Sequence, residues 1–166
     1  WQGRLVTLHL RTYGGDLHIF YEVLWKQVYR AALLHCGQCR TIVDVGAHVG
    51  MSALYMARLA PQSVVYALEP DAQNFALLVQ NTASISHRIR LHQAAAAACS
   101  GTLYVHQSRY GYNSRALTNG NEQPVPAISI NDLMHHHRLT AIDLLKIDAE
   151  GAEETLFGAH TQWLAH

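Results

Sequence analysis

The stretch "VDVGAHVG", residues 43–50, decides how this chain folds. It closes the β-branched run "TIVDV" (41–45), and Met51 to Leu59 then reads as a helix stopped by Pro61. Gly46 follows the strand directly and Gly50 stands at the next helix, so the backbone can turn sharply and a ligand can approach without a Cβ in the way. Strand, glycine turn and helix in this order are the opening unit of a nucleotide-type α/β fold.

The same alternation recurs downstream. "SVVYALE" (63–69) is a second apolar strand, and Pro70 and Asp71 open a helix with Phe75, Leu78 and Val79 at three- and four-residue spacing. Ile89 and Leu91 alternate with polar neighbours in a third strand. The alanine-rich "AAAAAC" (94–99) is of low complexity, and "TLYV" (102–105) is a short strand. "IDLLKI" (142–147) is a further core strand and "GAEETLF" (151–157) a final helix, with Asn131 the expected cap of a helix over 132–138. Strands alternating with helices predict a mainly parallel sheet covered on both faces. Ahead of this unit, a short extended opening (Leu5 to Leu10) and one amphipathic helix over 20–32, carried by Phe20, Val23, Leu24, Val28, Ala31 and Ala32, form a lead-in over 1–40, with the main domain over 41–166. Ser108 to Pro126 has no periodicity and is rich in Tyr, Asn, Gly and Pro; it reads as a long loop, and groups in it such as Asn113 are expected to contact a substrate.

Composition narrows the function classes. The chain has 166 residues, 49% hydrophobic and 14% charged, which suits one core, and twelve Lys plus Arg balance twelve Asp plus Glu, so no net field favours nucleic acid or an anionic membrane. A small-molecule partner is expected. No apolar run approaches the roughly 20 residues of a membrane span, and the first residues lack a signal-peptide pattern, which predicts a cytoplasmic protein. Three cysteines make no disulfide framework, and "CGQC" (36–39) reads as a turn before a strand. Adjacent His135, His136 and His137 would point about 100° apart on a helix, so they read as solvated surface, and no metal site is expected.

Ligands of such sheets bind beyond the carboxyl ends of the strands. A dinucleotide fingerprint reads G-x-G-x-x-G; here the pair is G-x-x-x-G with Asp44 two residues ahead, which suits a ligand carrying positive charge better than a pyrophosphate. Asp44 can also serve as a buried acceptor for the loop's own amides. Glu69, ending the second strand, can accept hydrogen bonds from both hydroxyls of an adenosine ribose, in NAD or S-adenosylmethionine alike. His48 reads as a loop-packing residue.

With these residues in view, the sequence resembles the FkbM-type family of S-adenosylmethionine-dependent methyltransferases. The likeness rests on "DLHIFYEVLWKQVY" (16–29), "VDVGAHVG", "ALEPDAQNFALLVQN" (67–81), "ISINDL" (128–133) and "IDLLKIDAEGAEETLFGA" (142–159). It implies a Rossmann-like class I three-layer sandwich. It also implies that Asp44, Gly46, Ala47 and Gly50 shape the cofactor loop, that Glu69 holds the ribose, and that Ala94 and Ala95 border the adenine. Asp148, at the end of the fourth strand, would face the cofactor's methyl group as base or orienting acceptor, with Glu150 as an auxiliary. The implied acceptor is a hydroxyl on a small molecule, sugar or lipid.

Family members continue past the helix after "DAEGAE", so the sheet is expected to be cut short after its fourth core strand, leaving an edge open to self-association. Two other readings compete: a nicotinamide-dependent oxidoreductase, and a non-catalytic module that keeps the fold and only binds a partner.

Overall fold

The computed structural model describes residues 6–106, 122–148, 153–158 and 160–165. In chain order the elements are α1 (Asp16–Phe20), which runs on into a π-helical turn (Tyr21–Trp25), then α2 (Arg30–Cys36), β1 (Thr41–Val45), α3 (Met51–Leu59), β2 (Val64–Leu68) and α4 (Ala72–Thr82). A 3₁₀ segment (Ala83–Arg88) leads to β3 (Ile89–His92), β4 (Ala95–Ala97), β5 (Gly101–His106), β6 (Glu122–Ser129), α5 (Ile130–His137), β7 (Leu144–Ile147), α6 (Glu153–Gly158) and a last 3₁₀ turn (Thr161–Ala165).

Four strands form an all-parallel sheet in the order β3–β2–β1–β7. Alternation along β1 decides which side chains face which layer. Ile42 points into a cluster with Val23 and Leu33 of the lead-in, Met51, Leu54 and Met56 of α3, and Leu78 of α4. Val43 and Val45 point the other way, onto Tyr66 and Leu68 of β2, Ile130 and Leu133 of α5, Leu156 of α6 and Trp163. Buried on both faces, the sheet is the middle of three layers, an α/β fold with a mostly parallel core. The lead-in shares the first cluster and is part of the same packed body. Among the described residues no strand pairs with the outer edge of β7.

Several local expectations are corrected. The lead-in helix is broken: Gln27 takes a left-handed φ of 56°, and the chain restarts as α2 after a turn. Part of the supposed long loop is β6, the middle strand of a second sheet in the order β4–β6–β5. Its Pro124 and Pro126 argued against a strand, because proline cannot donate to a ladder. They are tolerated because β4 pairs only with Ala127–Ser129, so the proline half of β6 has a neighbour, β5, on one side alone among the described residues. The alanine run supplies β4. Helix α5 starts earlier than expected, capped by Ser129, whose Oγ accepts from the Asp132 amide; Asn131 lies inside it and donates to the His160 carbonyl. His137 is not solvated surface: its Nε2 lies 2.9 Å from His92 Nε2 and its ring packs on Tyr66. Cys36 and Cys39 are joined as a disulfide that ties the end of α2 to the residues before β1.

Candidate functional site

The carboxyl ends of β1, β2 and β7 converge on one place. Asp44, the fourth residue of β1, is fully buried; Ser52 in the first turn of α3 donates to its Oδ2 at 2.6 Å. Directly across the parallel ladder, Lys146 of β7 is its register partner, and Nζ lies 3.1 Å from Asp44 Oδ1. Lys146 is 9% exposed and also donates to the carbonyls of Val45 (3.2 Å) and Gly46 (2.7 Å). Burial pulls the ammonium's pKa down, but Asp44, then Tyr29 and Asp148, outweigh it and the net shift is upward. The lysine therefore stays charged inside the sheet. Removing one partner of such a pair typically costs about 3–5 kcal/mol, because the other charge is left buried and uncompensated.

The turn that follows spends its own donors. The amides of Gly46 and Ala47 both donate to the Leu68 carbonyl at 3.0 Å, His48 N donates to Glu69 Oε2 at 2.9 Å, and Gly50 N to the Ala47 carbonyl at 2.9 Å. Four of the five amides from Gly46 to Gly50 are thus satisfied within the protein, and the turn offers no ring of free N–H groups of the kind a pyrophosphate requires. Gly50 has φ 92°, and a Cβ there would lie 2.8 Å from Leu78 Cδ1. Its missing side chain serves the close approach of α4 rather than of a ligand.

Glu69, 5% exposed, accepts three hydrogen bonds: His48 N at Oε2, and Asp71 N (3.0 Å) and Asn74 Nδ2 (3.2 Å) at Oε1. Burial pushes its carboxyl up, and these donors pull it back only in part. A carboxylate offers about four acceptor positions, so one remains for a ribose hydroxyl where two were expected. Asp71 caps α4 by accepting from the amides of Gln73 and Asn74.

A second buried network roofs this turn from the lead-in. Arg11 Nη2 donates to Asp16 Oδ1 (2.9 Å) and to Asn74 Oδ1 (2.7 Å), and Arg11 Nε to Asp16 Oδ2 (3.1 Å). His48 Nε2 sits 3.7 Å from Asp16 Oδ1, and burial, opposed by Asp16, lowers its pKa, consistent with a packing role as neutral imidazole. Asn81 adds a clasp, accepting from His9 N and donating to the carbonyls of His9 and Val49.

Asp148 follows β7. Its amide donates to the Val45 carbonyl (3.1 Å), while its side chain is 63% exposed, with Oδ2 3.8 Å from Lys146 Nζ. The half-buried phenol of Tyr29 lies in the same neighbourhood; burial raises its pKa first, with Lys146 opposing and Asp148 and Asp44 adding. Ala94 is buried and lines an open groove of about 580 Å³ with Ser100, Pro126, Ala127, Ile128 and Asp132, and Ala95 begins β4. Glu150 and Asn113 lie outside the described residues. Among the described residues no three His, Cys, Asp or Glu side chains gather as a metal set, and no helix is long and apolar enough to cross a membrane.

Asp44, Glu69 and Asp148, singled out from the sequence, thus lie at or just past the ends of β1, β2 and β7, whereas Lys146, Ser52, Arg11, Asp16 and Asn74, which share the network around them, were not singled out. A signal existed for Lys146 alone: a charge in the middle of the otherwise apolar "LLKI" demands a buried partner.

The profile of the FkbM methyltransferase domain matches residues 44–165. A solved structure, the methyltransferase FkbM from Methylobacillus flagellatus KT, superposes with a TM-score of 0.50 at 19% identity, covering 71% of this chain and 28% of that one. At that identity the likeness is one of fold, and the chain spans well under a third of that protein's length. No curated protein matches. From the profile match, which runs from the buried Asp44 through Glu69 to Asp148 and beyond, the chain belongs to the FkbM methyltransferase domain family.

Proposed function

We propose that this domain binds S-adenosylmethionine at the carboxyl ends of β1, β2 and β7 and supports methyl transfer to a hydroxyl of a small molecule, sugar or lipid. The observation that carries the reading is the state of the turn after β1: four of its five amides are spent internally, the one cation at the strand ends among the described residues, Lys146, is buried and engaged by Asp44 and two carbonyls, and the Asp148 carboxylate is open to solvent. That chemistry suits a sulfonium-bearing ligand and disfavours the pyrophosphate of a nicotinamide dinucleotide.

The residues fit the cofactor as far as the geometry goes. Glu69 keeps an acceptor position for a ribose hydroxyl, Gly46 and Ala47 form the turn, and Ala94 and Ala95, following β3, are the candidates to border the adenine. Bound there, the cofactor supplies an electrophilic methyl group. Asp148 accepts the proton of the incoming hydroxyl or orients it, and its side chain is 63% exposed, open to an acceptor arriving from solvent.

The reading extends to a cytoplasmic setting. It extends as well to self-association through the outer edge of β7, which has no paired strand among the described residues and is a template for another strand.

Calorimetric titration with S-adenosylhomocysteine and, separately, NAD tests the proposal. Binding of the former with none of the latter is expected; preference for NAD, or binding of neither, overturns it.

A further inference from the structure

Lys146 is assigned no role by the reading above, yet more of the site's polar contacts pass through it than through any of the expected residues. It stands in β7 between Leu145 and Ile147, a position that in a two-faced parallel strand ordinarily holds an aliphatic side chain. Its Nζ donates to the carbonyls of Val45, the last residue of β1, and of Gly46, which follows it, and makes an ion pair with the Asp44 carboxylate. The fourth neighbour is Asp148 Oδ2 at 3.8 Å, two residues further along the lysine's own strand.

The consequence is geometric. Backbone bonding joins β1 to the β7 side as far as Val45 and Asp148; past that point the chain turns at Gly46 with a φ of 74°, where the amides of Gly46 and Ala47 tie it to Leu68 of β2 and Lys146 ties it from the β7 side. The ammonium clamps the turn by holding two successive carbonyls, those of Val45 and Gly46. The same ammonium stands 3.8 Å from Asp148 Oδ2, and the Asp148 amide donates to the Val45 carbonyl, so the turn and the proposed base are held by adjoining contacts.

We infer that Lys146 is a positioning residue that pins the turn after β1, so that loop 46–50 keeps its ligand-ready shape with Asp148 alongside. The inference rests on the reading of this site as the cofactor site. It is not a catalytic residue in the sense of touching the reacting atoms, since its donors are consumed within the protein.

The test uses Lys146→Met, which keeps the volume of the stem and removes the charge, together with the double variant Asp44→Asn/Lys146→Met, which removes both charges and so relieves the buried, uncompensated carboxylate. Three readouts are taken on each: thermal midpoint, hydrogen exchange of the amides of residues 46–50, and calorimetric affinity for S-adenosylhomocysteine. The expected result is that exchange in 46–50 accelerates at least tenfold in both variants and affinity falls at least tenfold in both, while the double variant regains most of the thermal midpoint. If Lys146→Met does not fold, the double variant carries the comparison. A double variant with wild-type midpoint, exchange and affinity would make the pair merely structural and overturn the inference. Absence of binding by the wild-type chain sinks the cofactor reading instead; faster exchange in 46–50 would still report the clamp, and unchanged exchange would remove it.

Discussion

Asp44 and Lys146 are register partners on β1 and β7, and their charged ends meet at 3.1 Å in the interior of the sheet. A pair of this kind adds little net stability over two aliphatic side chains, because desolvation offsets most of the Coulomb attraction. Its presence at the strand ends, next to the exposed Asp148, marks the place where the fold departs from simple packing. The predictions below start from that place and move outward.

Glu69 staples the loop and the start of α4 through three accepted hydrogen bonds. Glu69→Gln turns one acceptor oxygen into a donor that faces N–H groups. Affinity for S-adenosylhomocysteine should fall about 10- to 100-fold, the equivalent of roughly 1.5–3 kcal/mol for a hydrogen bond to a charged group. Calorimetry checks this, and unchanged affinity would remove Glu69 from the site.

Asp148 is largely exposed, so Asp148→Asn should leave the thermal midpoint within about 0.5 kcal/mol of wild type in stability terms. Once an acceptor is identified, turnover should drop about 10²- to 10⁴-fold, as for loss of a general base. A fully active Asp148→Asn enzyme would reassign the base.

Gly50→Ala must hold a side chain at φ 92° and place its Cβ 2.8 Å from Leu78 Cδ1. The left-handed backbone alone costs roughly 1–2 kcal/mol, and overpacking against Leu78 should bring the total to about 2–4 kcal/mol in a denaturant titration. A loss below about 1 kcal/mol would mean that Leu78 gives way freely.

His92 is held down to about 4 by burial and by the neighbouring His137 and His136. The surrounding groups are His137 at 2.9 Å and His136 on α5; burial, His136 and Arg90 lower His137 as well. An unfolded histidine titrates near 6.5, so from pH 6.5 down to about 4 the unfolded chain binds the extra proton. Stability is therefore fully present above pH 6.5 and is lost on acidification through that window. Denaturant midpoints at pH 7, 6 and 5 should fall, and fall less steeply in His92→Gln; parallel slopes would show that the pair does not govern acid sensitivity.

Much of the parallel sheet was legible because its signals are local. β1, α3, β2 and α4 lie where the apolar runs, the Pro70–Asp71 start and the glycine turn put them, since a strand buried on both faces must be apolar almost throughout. β6 was not legible: its prolines speak against a strand, and only the one-sided pairing that admits them overrides the local chemistry. The break in the lead-in was likewise hidden, because apolar residues at helical spacing fit both a continuous helix and two short ones joined at Gln27.

At the site, the sequence by itself located the carboxylates and the turn: Asp44, Glu69 and Asp148 stand at or just past strand ends that hydrophobic periodicity locates, and Gly46 and Gly50 bracket the turn between β1 and α3. Tertiary structure alone decided what each one meets. The Glu69 donors, the Arg11–Asp16–Asn74 roof and the Lys146 clamp join residues up to about a hundred positions apart, such as Lys146 with Val45 and Gly46. Periodicity reports which face of an element is buried, whereas the partner across that face is set by strand order and register, which no local pattern encodes.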